Sequence, residues 1–145
     1  MTVRVDFAFG APDRLRMACE VVRKQYDKGR RLVIYCSDAD LLERFDTLLW
    51  GFEATAFIPH VHADDPLAEQ TPIWLSNRGV DPSSFPSAAW LMNLDEQCPP
   101  DAARYERILE IVSQDEPSVM AARERWRQYK ALGYNLRAHD VSHRT

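Results

Sequence analysis

Arg123, Arg127 and Lys130 recur at i, i+4 and i+7 towards the carboxyl end of the chain, a spacing that lines three cations along one ridge of a helix. Val119, Ala122, Trp126 and Tyr129 form an apolar stripe rotated from that ridge by one residue. From Arg123 to Arg137 there are five basic residues and one acidic, so a chain of net charge −4 carries +4 here and −8 elsewhere. Two readings fit this pattern. One is a solvated helix face packed through its rings. The other is a groove for an acidic peptide whose apolar end lies on the stripe, with planar guanidinium forks holding its carboxylates.

A second cluster is His60-Val61-His62-Ala63-Asp64-Asp65, two histidines on one face of an extended segment with carboxylates close by. That set suits a small metal-dependent phosphoesterase. A polar loop with His60 bonded locally explains the same residues, because closed metal sites draw three or four ligands from more than one segment. Ser76, Ser83 and Ser84 lack the glycine-flanked elbow of a nucleophile. No basic residue follows Cys36 to lower its pKa, so it reads as a buried structural thiol. Gly10, Gly29, Gly51, Gly79 and Gly133 are too far apart for a dinucleotide fingerprint or a P-loop. The turns that would hold phosphate instead carry Pro12 and Ser37-Asp38-Ala39-Asp40, which are better helix caps than anion cradles. No cofactor is implied.

The elements that must position these residues alternate. Val3, Val5, Phe7 and Phe9 repeat every second residue, as in a strand. Leu15, Cys19, Val22 and Tyr26 then follow a helical period that ends at Gly29. Leu32 to Cys36 is a continuous apolar run, expected of a strand covered on both faces. Ser37 or Asp38 caps a helix through Leu41, Phe45 and Leu48, followed by a turn at Gly51 and a short strand ending at Pro59-His60. This alternation predicts an α/β fold with a parallel sheet and right-handed crossovers. Residues 60–71 read as an exposed loop, 73–75 as a short strand, 78–86 as a turn-rich linker and 88–94 as a strand. A third helix is expected from Asp101 through Tyr105, Ile108, Leu109 and Val112, and a last one from Pro117 to a stop at Gly133. Residues from His139 onward read as a polar tail.

Trp50, Phe52 and Phe57 place three rings in eight residues. Trp50 reads either as a core ring closing its helix or as a partly exposed ring awaiting another protein. The 145 residues suffice for one domain with a real core. An acidic balance argues against a general nucleic-acid coat, and direct single-strand binding through Trp126, Tyr129 and the arginines is correspondingly disfavoured. Three cysteines without a Cys-x-x-Cys pair suggest neither a disulfide framework nor a zinc knuckle. Arg4 and Asp6 interrupt the first apolar run, no secretory signal or membrane span is read, and a reducing cytoplasm is the expected compartment.

Two segments carry a resemblance: Leu49-Trp50 followed by Phe57-Ile58-Pro59-His60, and Ala122-Arg123-Glu124-Arg125-Trp126-Arg127-Gln128-Tyr129-Lys130 leading to Gly133-Tyr134-Asn135-Leu136. On these the chain resembles, over nearly its whole length, the chi subunit family of bacterial DNA polymerase III. The resemblance implies a Rossmann-like three-layer sandwich with a mostly parallel sheet and no P-loop. It implies one domain over residues 1–136 with a polar tail over 137–145, and a clamp-loader accessory subunit without activity of its own in a holoenzyme that is a DNA-directed DNA polymerase. Such a subunit joins the psi subunit to the acidic, Phe-terminated tail of single-stranded-DNA-binding protein, and so meets DNA only indirectly. Carried residue by residue, Trp50, Phe57 and Pro59 are expected to face psi. Val112, Arg123, Trp126, Arg127, Gly133 and Tyr134 are expected to hold the tail. Val119 stands one turn before Arg123, where the family resemblance implies a basic residue.

Overall fold

The computed structural model describes residues 2–51, 57–81 and 88–143. Its centre is a seven-stranded sheet in the order β3-β4-β2-β5-β6-β1-β7, in which every pairing is parallel. The strands are β1 (Arg4–Ala11), β2 (Arg31–Tyr35), β3 (His60–His62), β4 (Ile73–Ser76), β5 (Ala89–Asn93), β6 (Arg107–Ser113) and β7 (Asn135–Asp140). Helices α1 (Arg14–Asp27) and α2 (Ala39–Gly51) pack through Met17, Cys19, Val22, Leu42, Phe45 and Leu49 into one apolar cluster. Helix α3 (Glu116–Ala131) packs through Ala122 and Tyr129 into a second cluster, built on Val5, Phe7, Val33, Leu91 and Ile108. The two clusters lie on opposite sides of the sheet because successive strand residues project to opposite faces. The result is the expected Rossmann-like three-layer sandwich.

The local signals explain most elements. Asp13 accepts from Arg16 N at 3.2 Å and Asp38 from Asp40 N at 3.0 Å, so both turns act as helix caps. Strands β2 and β5 are buried on both faces, which is why they read as unbroken apolar runs.

Three expectations are overturned. The helix expected over Tyr105, Ile108, Leu109 and Val112 is strand β6, preceded by a 3-10 turn at Ala102–Arg104. Those residues satisfy a helical period by coincidence. Glu110 and Ile111 between them are also buried, and a segment buried all round in a sheet has no periodic face. The loop expected from His60 opens with edge strand β3, and Phe57 to Pro59 ahead of it are not a strand; residues 52–56 of the expected strand lie outside the described residues. The polar tail is a strand as far as Asp140. Its residues are largely exposed, so its pairing to β1, not its composition, makes it one.

Candidate functional site

Asp115 opens α3 by accepting from Ser118 N at 3.2 Å, with Pro117 in the first turn. The apolar stripe then faces β1, β6 and β7. Tyr129 is fully buried and Trp126 half-buried, its ring 5.2 Å from that of Phe7. The helix ends in a Schellman turn: Gly133 adopts φ +80°, Gly133 N donates to Lys130 O, and Tyr134 N reaches back to Tyr129 O at 3.2 Å. The apolar contact that accompanies such turns is the stacking of Tyr134 on Tyr129, with centroids 5.9 Å apart.

Beside α3 runs an open groove of about 460 Å³. Its floor and walls come from Phe7 and Phe9 of β1, Val112 of β6, Ala138 of β7, and Ala122 and Trp126 of α3. Phe9 remains 42% exposed, a large ring left open to whatever enters. Gln114 Nε2 donates to Gly10 O at 2.9 Å and ties one end of the groove together. Gly10 is at φ +78°, and a Cβ there would stand 3.1 Å from Ser142 Cβ. Arg123 is the charged side chain in the lining; it is exposed and makes no ion pair among the described residues. An apolar trough beside an uncompensated guanidinium can hold a ligand that is apolar at one point and anionic at another.

Of the six expected tail-binding residues, the fold brings together Val112, Arg123 and Trp126. Arg127 lies on the outer side, paired to Glu124 at 3.0 Å. Gly133 and Tyr134 are ten residues past Arg123, roughly 15 Å along the axis, where they form the helix stop. Phe7 and Phe9 join the groove beyond the expected residues, and the signal for them is their period-two spacing, which places both on one face of β1.

Arg125 belongs to the basic segment by sequence, but it is 3% exposed. Its Nε and Nη2 both stand 3.0 Å from Glu110 Oε1, and its Nη1 donates to Glu96 O at 3.0 Å. The other carboxylate oxygen of Glu110 accepts from Tyr129 OH at 2.7 Å and Asn93 Nδ2 at 2.9 Å. This network locks α3 to β5 and β6 and so fixes where Arg123 points. Burial, with the Glu110 charge and hydrogen bond next, pushes the Tyr129 phenol far up. Since Tyr129 is sealed in the core, it cannot serve as a stacking platform for bases.

At the far end of the sheet, Trp50 is 47% and Phe57 69% exposed, and their rings lie 5.4 Å apart. The Trp50 ring is also 4.0 Å from that of His60, and Pro59, next to His60 in the chain, is half-buried. Trp50 is therefore partly exposed and not a core ring closing its helix. His60 itself is buried, with Nδ1 2.7 Å from Ile58 O and Nε2 2.7 Å from Asp46 Oδ1. Asp65 accepts from Leu67 N at 2.8 Å within its own turn. Among the described residues no three or more His, Cys, Asp or Glu side chains converge as metal ligands, so His60, His62, Asp64 and Asp65 do not form a common site. Burial raises the Cys36 thiol, in keeping with a structural role. No helix of the described residues is long and apolar enough to cross a membrane.

The family model described as DNA polymerase III chi subunit, HolC, matches residues 1–137. The DNA polymerase III subunit chi of Pseudomonas aeruginosa is 29% identical over 126 residues, 87% of this chain and 85% of that protein. The Haemophilus influenzae subunit chi is 29% identical over 129 residues, 86% and 85% of the two chains. That of Escherichia coli is 25% identical over 124 residues, 83% and 81%. With the match running from the first strand into the last, this chain belongs to the DNA polymerase III chi subunit family, accessory subunits of DNA replication.

Proposed function

We propose that this chain is a non-catalytic bridge within the replication machinery, joining the clamp loader, through psi, to the acidic C-terminal tail of single-stranded-DNA-binding protein. The observation that carries the reading is the groove, where the unpaired Arg123 stands beside an apolar trough of Phe9, Val112 and Trp126. A tail ending in phenylalanine after acidic residues offers one group to each part. Arg123 holds a carboxylate, and the ring enters the trough. A single charged anchor in open solvent gives modest, salt-sensitive affinity. Several tails on one DNA-bound protein raise it through effective concentration.

The exposed pair Trp50 and Phe57, with Pro59, forms the psi-facing surface, since large rings give much contact area for little rotamer entropy. The positions suit a bridge. Five strand spacings, about 24 Å, separate β3 beside Trp50 from β1 beneath the groove, and the two sites use opposite helical layers. Both partners can then bind at once. Calorimetry with a synthetic acidic peptide, with and without its terminal phenylalanine, tests the groove. Arg123→Ala is expected to weaken binding by about 1–3 kcal/mol. Unchanged binding removes Arg123 from the reading. Trp50→Ala is expected to abolish association with psi while the peptide still binds. Retained psi association refutes the assignment of the patch.

A further inference from the structure

On the sheet face opposite the groove, arginines from three separate segments meet, and a fourth projects from the neighbouring edge strand. Arg30 Cζ lies 3.9 Å and Arg107 Cζ 4.2 Å from the ring centroid of Trp90. Arg107 Nε reaches Asp6 Oδ2 at 2.7 Å, and Arg4 Nε reaches the same oxygen at 3.1 Å. His139 Nε2 is 2.9 Å from Asp6 Oδ1. Arg137 pairs in register with Asp6 and shares the parity of His139, so it projects to the same face. Helices α1 and α2 cover β2, β4 and part of β6 on this side but leave the β1–β7 corner open: the Arg4 and His139 side chains are 38% and 53% exposed.

We infer that this corner is a contact surface for the phosphate backbone of single-stranded nucleic acid. Among the groups named here, the guanidiniums of Arg4, Arg30, Arg107 and Arg137 outnumber the carboxylates of Asp6 and Glu106 by two, within a chain of net charge −4. The carboxylates that cap helices, Asp13, Asp38 and Asp115, are gathered at the opposite, C-terminal edge of the strands. This separation of sign turns the basic corner towards a polyanion. The guanidiniums are also held in place: Asp6 is 7% exposed and acts as a strut for Arg4 and Arg107, while Trp90 supports Arg107 and Arg30. Neighbouring strands lie about 4.8 Å apart, so the forks form a flat array suited to successive phosphates. A phosphate backbone fits better than an acidic peptide because Trp90 is buried beneath the arginines and the corner offers charge with little apolar area.

The test is fluorescence anisotropy of a labelled oligothymidylate titrated with the full chain. Neutralising two phosphates gives a salt slope of about −1.4, so affinity should fall roughly 25-fold between about 20 and about 200 mM NaCl. Arg4→Gln with Arg137→Gln should remove that salt-dependent binding, and Arg123→Ala should leave it intact. Thermal unfolding reports whether the double variant is folded; if it is not, Arg137→Gln alone should halve the slope. Absence of binding at low salt overturns the inference, as does a folded variant that binds like the parent. Loss on Arg123→Ala moves the site to the groove and refutes it. With the groove disabled by Arg123→Ala, equal or tighter binding of a labelled polyglutamate makes the corner a peptide surface and refutes it as well.

Discussion

Replacing Arg125 by methionine removes a guanidinium from the core while keeping its aliphatic stem. Glu110 is 0% exposed, and both contacts that neutralise it, from Nε and Nη2, are at 3.0 Å. Without them the carboxylate keeps only Asn93 and Tyr129 as donors. Breaking a buried pair in this way costs about 3–5 kcal/mol, a large share of the roughly 5–15 kcal/mol that holds a domain of this size together. The Glu96 carbonyl also loses its donor. Urea unfolding followed by tryptophan fluorescence measures the loss as a lower midpoint at unchanged slope. The reasoning makes a sharper demand on a double-mutant cycle. Glu110→Gln should destabilise the parent, where it weakens the pair, but stabilise the Arg125→Met background, where a neutral amide can still accept from Tyr129 and Asn93. A loss below about 1 kcal/mol for Arg125→Met, or the same sign for Glu110→Gln in both backgrounds, refutes the account.

Two further outcomes follow from local geometry. Gly133→Ala places a Cβ at φ +80° where nothing lies within 4 Å, so the cost is conformational only, about 1–2 kcal/mol, read as a lower urea midpoint. Asp6→Asn should be pH-dependent. Burial pushes the Asp6 carboxyl up, but hydrogen bonds from His139 and Arg4 and the charges of Arg107 and Arg4 outweigh it and hold it below the ordinary 3.8. A depressed carboxyl stabilises the fold above its unfolded pKa and loses that contribution as pH falls through the folded value. The difference in melting temperature between Asp6→Asn and the parent should thus be full near neutrality and shrink below about pH 4.

The elements readable in the sequence were those whose surroundings are set by near neighbours. Asp13 and Asp38 cap the helices that follow them, and Gly133 stops α3 by taking a positive φ that side chains avoid. Leu32 to Tyr35 reads as a strand because burial on both faces leaves it no polar positions. The helical spacing of Tyr105, Ile108, Leu109 and Val112 points to the wrong element, because Glu110, between Leu109 and Val112, is satisfied by Arg125, fifteen residues away, and looks like a surface residue until that partner is known. Strand β7 was hidden for a related reason: Arg137 and His139 mark a solvated segment, and only β1, at the other end of the chain, supplies its hydrogen bonds.

By itself, then, the order of residues determined the alternating α/β class, the caps and stops, the cationic ridge and the ring-rich end of α2, since each of these depends on contacts within a turn or two. Tertiary structure alone decided that Arg123 is open while Arg125 is sealed, although the two lie two residues apart on one helix. It also decided that Phe7 and Phe9 complete the groove and that Trp50 is left outside. Burial is a property of the whole packed molecule: two residues on one helix turn to different sides of it, and only the sheet and its other helices determine which side meets water.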